Sequence, residues 1–238
     1  MSVFRMCPVG DQALLCEFGN AIDEETNAQV MCLAEQINKK PISGIVEVLP
    51  TYRSLLVFYD AERITYRQLT RKISHLYTEK TTDRTEKKKI RMVPCLYGGA
   101  YGPDLEQMSE ALDLTPEQII DIHQSVDYKV YMLGFLPGFV YLGGLDERIH
   151  MPRLDVPRTR IPERSVGIGG NQTGVYPMES PGGWRLIGST PLDFYNPFHT
   201  PPVLCHAGEY IRFVSISEKE YQSIRNDVEK GTYKIEFA

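Results

Sequence analysis

The sequence predicts an α+β amino-terminal domain followed by a mainly β, barrel-like domain, and three observations carry that expectation. Short apolar runs alternate with amphipathic stretches over residues 1–80, a polar, charge-dense stretch covers 79–91, and beyond Asp127 short apolar runs alternate with glycine and proline. Helices covering one face of a small sheet account for the first pattern. A closed sheet with tight corners accounts for the third, because glycine tolerates positive φ and close backbone approach while proline fixes turns. The domains are accordingly placed at 1–85 and 86–238.

Each element has its own local reason. An apolar run at 13–18 follows a Gly10-Asp11 turn and reads as a strand. Val30, Leu33, Ala34 and Ile37 recur at i, i+3, i+4 and i+7, which predicts a helix that starts near Asp23 and ends before Pro41. Residues 45–49 and 54–59 are rich in β-branched and aromatic side chains and flank Pro50-Thr51-Tyr52-Arg53, the pattern of a hairpin. Leu69, Ile73, Leu76 and Tyr77 repeat the helical spacing. The order is therefore strand, strand, helix, strand, strand, helix. The 79–91 stretch reads as an exposed connection, with Lys87-Lys88-Lys89 as a solvated strand edge.

Two helices open the second domain, one carrying Leu105, Met108 and Leu112. The other begins at Thr115-Pro116-Glu117-Gln118, a capping box with proline at the first helical position. Barrel strands are expected around 130–133, 166–168, 186–187 and 211–216. A last helix, opened by Ser217-x-x-Glu220 and carrying Tyr221, Ile224 and Val228, precedes a final strand at 233–237.

Composition excludes several function classes. A formal charge of −5 gives no basic field for a phosphate backbone, so nucleic acid is not an expected partner. The amino-terminal stretch is interrupted by Pro8, Gly10, Asp11 and Gln12, and no run of about 18 apolar residues occurs, so neither secretion nor a membrane partner is expected. Five scattered cysteines without a CxxC pair suit reduced thiols and a cytoplasmic location. Asn171-Gln172-Thr173 then matches a glycosylation acceptor by coincidence.

The common catalytic engines are missing. Gly169-Gly170-Asn171-Gln172-Thr173-Gly174 imitates the glycines of a P-loop, but Val175-Tyr176 stand where lysine and a hydroxyl belong. No GxGxxG turn, GxSxG elbow or HExxH helix occurs. His75, His123, His150, His199 and His206 are isolated, so packing or surface roles are expected and no metal. No lysine lies between two methionines, so no biotin attachment is expected.

What remains is a constellation from Tyr131 to Pro191. Phe135, Phe139, Tyr141, Tyr176 and Trp184 stand beside glycines and prolines, either lining a concave surface or filling barrel corners. Between Val130 and Glu218 there is no lysine, yet Arg148, Arg153, Arg158, Arg160, Arg164, Arg185 and Arg212 are present. Their planar forks match carboxylate or phosphate oxygens, or else pair internally with Asp146, Asp155, Glu163 or Glu179.

The stretches YGPDLEQMSEALDLTPEQII and YMLGFLPGFVYLGGLDERIHMPRLDVPRTRIPERSVGIGGNQTGVYPMESPGGWRLIGSTPL resemble the family that holds the bacterial Kip inhibitor, the B-type component of 5-oxoprolinase and allophanate hydrolase subunit 1. The likeness is strong over about 93–215 and weaker at the Gly10-Asp11 opening. One departure is Glu163-Arg164 before Ser165, where the family usually has a small residue and glycine. That departure bears on the local turn and on any ligand contact by its backbone.

The resemblance implies a ferredoxin-like amino-terminal domain, a cyclophilin-like barrel, and a subunit that is not active alone. It implies ATP-dependent opening of 5-oxoproline to glutamate, with ATP used by the complex, a C-type (KipA-like) subunit and an A-type (LamB/YcsF-like) subunit. Alternative roles are an antikinase that binds a sensor histidine kinase, an allophanate hydrolase or urea carboxylase subunit, and prolyl isomerisation by fold analogy. On the enzyme reading, Arg153, Arg158 and Arg160 hold an anion, with Arg185 beside them. Gln172, Thr173 and the backbone around Gly174 orient the substrate, and Phe135, Pro137, Phe139, Tyr141, Tyr176 and Trp184 line the groove and exclude water. No general base is nominated.

Overall fold

The computed structural model describes residues 4–20, 23–78 and 89–238. The chain divides into two compact units, Met1–Glu86 and Lys87–Ala238. The charge-dense connection and Lys87-Lys88 lie outside the described residues, apart from its end at 89–91.

In the first unit, β1 (Arg5–Val9) and β2 (Ala13–Glu17) form a hairpin, followed by α1 (Glu24–Lys39), β3 (Ile45–Pro50), β4 (Ser54–Tyr59) and α2 (Tyr66–Thr78). The strands stand in the order β1-β2-β4-β3 and every pairing is antiparallel. β2 and β3 thus run in the same direction with β4 between them, a split β-α-β arrangement. Asp23 caps α1 by accepting the Thr26 N–H at 2.8 Å, where it also complements the helix dipole. The expected stripe of Val30, Leu33, Ala34 and Ile37 is buried with Leu69 and Ile73 of α2 and Leu14, Cys16, Leu55 and Val57 of the sheet.

The second unit contains β5 (Ile90–Tyr97), α3 (Leu105–Leu112), α4 (Pro116–Gln124), β6 (Tyr128–Leu133), β7 (Val140–Gly143), β8 (Arg158–Ile161) and β9 (Ser165–Gly169). It continues with β10 (Gln172–Val175), β11 (Ser180–Gly182), β12 (Arg185–Ser189), β13 (Tyr210–Ser215) and α5 (Glu218–Glu229). The closed barrel has the order β10-β7-β6-β13-β5-β12-β9, and β8 pairs separately with β11. Among the described residues, β5 and β13 run parallel and the other barrel pairs antiparallel. The barrel core gathers Val93, Val130, Val140, Ile168, Ile211 and Phe213. Both capping boxes form, at Thr115–Gln118 and Ser217–Glu220.

The expected last strand does not form. Residues 233–237 contribute an isolated bridge between Arg91 and Phe237, with Ala238 N–H donating to Ile90 O at 2.9 Å and Met92 N–H to Glu236 O at 3.0 Å. β13 occupies one side of β5 along its length, and β12 pairs on the other side only at Leu96 and Tyr97. The tail therefore finds only the first residues of β5 to pair with. Lys89 Nζ lies 3.8 Å from the centroid of the Phe237 ring.

Candidate functional site

The aromatic side chains of the second unit converge, chiefly as a core. Phe139, Tyr176 and Trp184 are buried together with Ile161 and Leu186. Phe139 meets Tyr176 at 5.1 Å and 85° and Trp184 at 5.4 Å and 80°, the edge-to-face geometry that ring quadrupoles favour. Neighbouring glycines make room for the indole: a Cβ at Gly169 would lie 2.4 Å from Trp184 Nε1, and one at Gly174 would lie 3.0 Å from its Cζ3. Of the two readings open for these rings, corner filling holds for Phe139, Tyr176 and Trp184. Tyr141 is half-buried at the edge, and Phe135 and Pro137 are exposed on the β6–β7 loop. Phe135 adopts φ 68° and packs edge-on against Phe139.

Burial pushes the Tyr176 phenol up to about 12, against the lowering effect of a hydrogen bond from the Trp184 backbone and of Arg153 and Arg158 nearby. Tyr176 therefore stays protonated at neutral pH. Arg153 is exposed and its guanidinium carbon lies 5.8 Å from the Trp184 ring centroid. It makes no ion pair among the described residues.

Most of the other arginines pair internally. Arg158 Nη2 donates to Asp104 Oδ1 at 2.6 Å, and Asp104 Oδ2 accepts the Leu186 N–H at 2.6 Å. Arg160 pairs with Glu179 at 2.7 Å, Arg148 with Asp146 at 2.8 Å and Arg212 with Asp127 at 2.6 Å. Arg185 donates to Gln107 Oε1 and, at 3.3 Å, to Pro152 O.

Arg158 and Arg160 nonetheless line a cavity of about 350 Å³, together with Tyr101, Glu163, Arg164 and Tyr221. Arg164, which stands outside the set of groove residues expected from the sequence, enters through the turn before β9. Its φ is 67°, the left-handed region where glycine is at ease, so the backbone geometry would favour glycine here and leaves the arginine strained. The turn holds all the same: Arg164 N–H donates to Tyr176 O at 2.6 Å, and Arg164 O accepts from Thr190 N–H at 3.0 Å. Arg164 Nη1 contacts Glu163 Oε1 and lies 3.4 Å from Asp193 Oδ1. The signal that could have found it was the departure itself, an arginine where a glycine is usual.

The expected substrate-orienting group falls elsewhere. Thr173 is fully buried inside the barrel, its hydroxyl donating to Gly167 O at 3.0 Å and lying 2.9 Å from His123 Nε2. Because that hydroxyl proton goes to the carbonyl, Nε2–H is the donor to Thr173, and Nδ1 accepts from Tyr97 OH at 2.7 Å. Burial lowers the His123 pKa to about 3, so the ring is neutral. Gly174 sits between β7 and β9, opposite Tyr141 and Gly167, with its backbone inside the wall. Thr173 and Gly174 thus belong to the barrel, while Gln172 is half-buried at the start of β10. The Gly169-to-Gly174 segment is the β9–β10 hairpin rather than a strand-to-helix loop, so it forms no phosphate cradle.

Among the described residues no three His, Cys, Asp or Glu side chains gather as a metal site, and no helix is long and apolar enough to cross a membrane.

The sequence is 43% identical to the B component of 5-oxoprolinase from Bacillus subtilis, over 94% of this chain and 98% of that one. It is 37% identical to the B component of 5-oxoprolinase from Haemophilus influenzae, over 88% of this chain and 97% of that one. The crystal structure of Kluyveromyces lactis urea carboxylase superposes with a TM-score of 0.81 at 22% identity, over 99% of this chain and 24% of that one, a likeness of fold. Residues 4–205 match the carboxyltransferase domain, subdomain C and D, and the chain belongs to that family.

Proposed function

We propose that this chain is the B-type member of a multi-subunit, ATP-dependent 5-oxoprolinase that hydrolyses 5-oxo-L-proline to L-glutamate with A-type and C-type partners. The carrying observation is the likeness to B components of 5-oxoprolinase along almost their whole length. The split β-α-β sheet supports a ferredoxin-like reading of the first unit, and the closed barrel a cyclophilin-like reading of the second.

In the reaction, water adds to the lactam carbonyl and the C–N bond breaks, leaving a carboxylate and an amine. ATP supplies activation of the lactam oxygen, and no residue of this chain is assigned to the nucleotide. Arg153 supplies an exposed cation without an ion-pair partner beside the aromatic cluster, placed to stabilise charge that develops on a reacting oxygen once a companion subunit excludes water. His123 is sealed and neutral, and Tyr176 is held protonated, so neither is offered as a general base. Phe135, 63% exposed beside Pro137, fits a site that a companion subunit completes.

The test is to purify the chain with its A-type and C-type partners and follow glutamate formation from 5-oxo-L-proline. Activity is expected from the three-part complex and lost when this chain is omitted. Undiminished activity without it overturns the reading.

A further inference from the structure

The cavity next to the turn before β9 has the size and charge of a small-anion site. Its volume of about 350 Å³ suits a compact metabolite, and its lining residues include three arginines, Arg158, Arg160 and Arg164, against one acidic residue, Glu163. The other carboxylates that pair with these arginines, Asp104, Glu179 and Asp193, stand outside the lining. Tyr101 and Tyr221, with ring centroids 5.1 Å apart and planes tilted by 49°, add aromatic surface to the lining.

Arg164 is the informative residue. A non-glycine side chain at positive φ is strained, and such strain persists where something else requires the side chain. The turn does not require it: its hydrogen bonds use the backbone N–H and C=O of residue 164, which glycine supplies equally well. The Arg164 side chain is four-fifths buried, with Nε enclosed and without a hydrogen-bond partner, and Arg158 Nη1 is enclosed in the same way. Glu163 touches Arg164 while its own side chain is 49% exposed, so it is free to swing into solvent.

We propose that this cavity binds the carboxylate of a small cyclic acid, with Arg164 and Arg158 as the receiving cations and Glu163 as the internal carboxylate the ligand displaces. The assignment rests on the 5-oxoprolinase reading, in which the substrate is such an acid, and it concerns that acid's carboxylate alone, since Arg153 is not among the residues lining this cavity. Binding exchanges one carboxylate for another on the guanidinium, so it brings no new uncompensated charge into the turn.

Calorimetric titration of the full chain with 5-oxo-L-proline and with its carboxamide tests this. The carboxamide is expected to bind about tenfold more weakly, and Arg164→Gly to weaken the acid by a similar factor, the scale of one lost charge-assisted hydrogen bond. Glu163→Gln should tighten binding about threefold by removing the competitor. Circular dichroism of Arg164→Gly separates lost binding from lost fold, and the expected result is an intact spectrum. As a second readout, Arg164→Gly in the assembled complex should raise KM about tenfold with kcat retained, the signature of lost ground-state binding.

Equal affinity for acid and carboxamide, or an unchanged KM in the Arg164→Gly complex, overturns the assignment while leaving the substrate reading in place. Arg164-dependent binding by a complex that forms no glutamate overturns the substrate reading and keeps the cavity.

Discussion

Trp184 occupies the space that a side chain at Gly169 would need, its Nε1 standing 2.4 Å from where that Cβ would be. Gly169→Ala should therefore overpack the aromatic core and destabilise the fold by about 1–3 kcal/mol. Thermal unfolding followed by circular dichroism checks this. Combining it with Trp184→Phe should return part of the loss, and strictly additive effects would contradict the contact.

Arg153 stands over the same indole without a carboxylate partner among the described residues. Arg153→Ala should leave the unfolding temperature within about 1 °C of the parent, as expected for an exposed side chain outside any network. Glutamate formation by the assembled complex should fall at least about tenfold, and Arg153→Lys should restore little of it because a point charge does not reproduce the planar fork. Full activity in Arg153→Ala would remove this residue from the site.

Asp104 joins Arg158 to the Leu186 backbone. In Asp104→Asn the amide oxygen still accepts the Leu186 N–H, but the charge facing Arg158 is gone. With Asp104 buried and Arg158 partly exposed, the expected loss is about 3 kcal/mol, read as a fall of roughly 6–12 °C in unfolding temperature. Adding Arg158→Gln should recover stability, since no uncompensated charge then remains. If the double variant is as unstable as the sum of its parts, the pair is not coupled.

The buried His123 ring sets an acid limit. In the unfolded chain the imidazole titrates near 6.5, and in the folded chain burial holds it at about 3. Between those values the unfolded chain binds a proton that the folded chain does not. Stability should therefore fall as pH drops below 6.5, with this group contributing up to about 1.4 kcal/mol per pH unit, and should not change on its account above that range. Denaturant titrations at a series of pH values, compared with His123→Gln, isolate the contribution. An identical pH slope in the two proteins would show that the imidazole is not the group responsible.

What was legible in the sequence was local. The caps at Thr115 and Ser217 and the α1 stripe depend on residues three to seven apart, and all formed as expected. The strands β7, β8, β10 and β11 are only three or four residues long, too short to show a period, and their pairing is set by distant partners. The glycines near Trp184 read, from sequence, as corners of a barrel. Gly169 and Gly174 instead make room for a ring many residues away along the chain, a requirement that no local pattern encodes. His123 looked isolated for the same reason: its partners are Tyr97 and Thr173, 26 and 50 positions distant. Among the nominated arginines, the spacing singled out one stretch of chain. It could not separate Arg153, left unpaired, from Arg160 and Arg185, which have neighbours to satisfy them.

Insertion of β13 between β5 and β6 has a consequence for biosynthesis. During translation β5 and β6 emerge early, yet the strand that joins them is made more than a hundred residues after β5 begins. Until Ser215 has left the ribosome the cylinder has two raw seams, each a template for pairing with another nascent chain. A message cut short before the codon for Tyr210 would thus yield an aggregation hazard rather than a smaller working barrel.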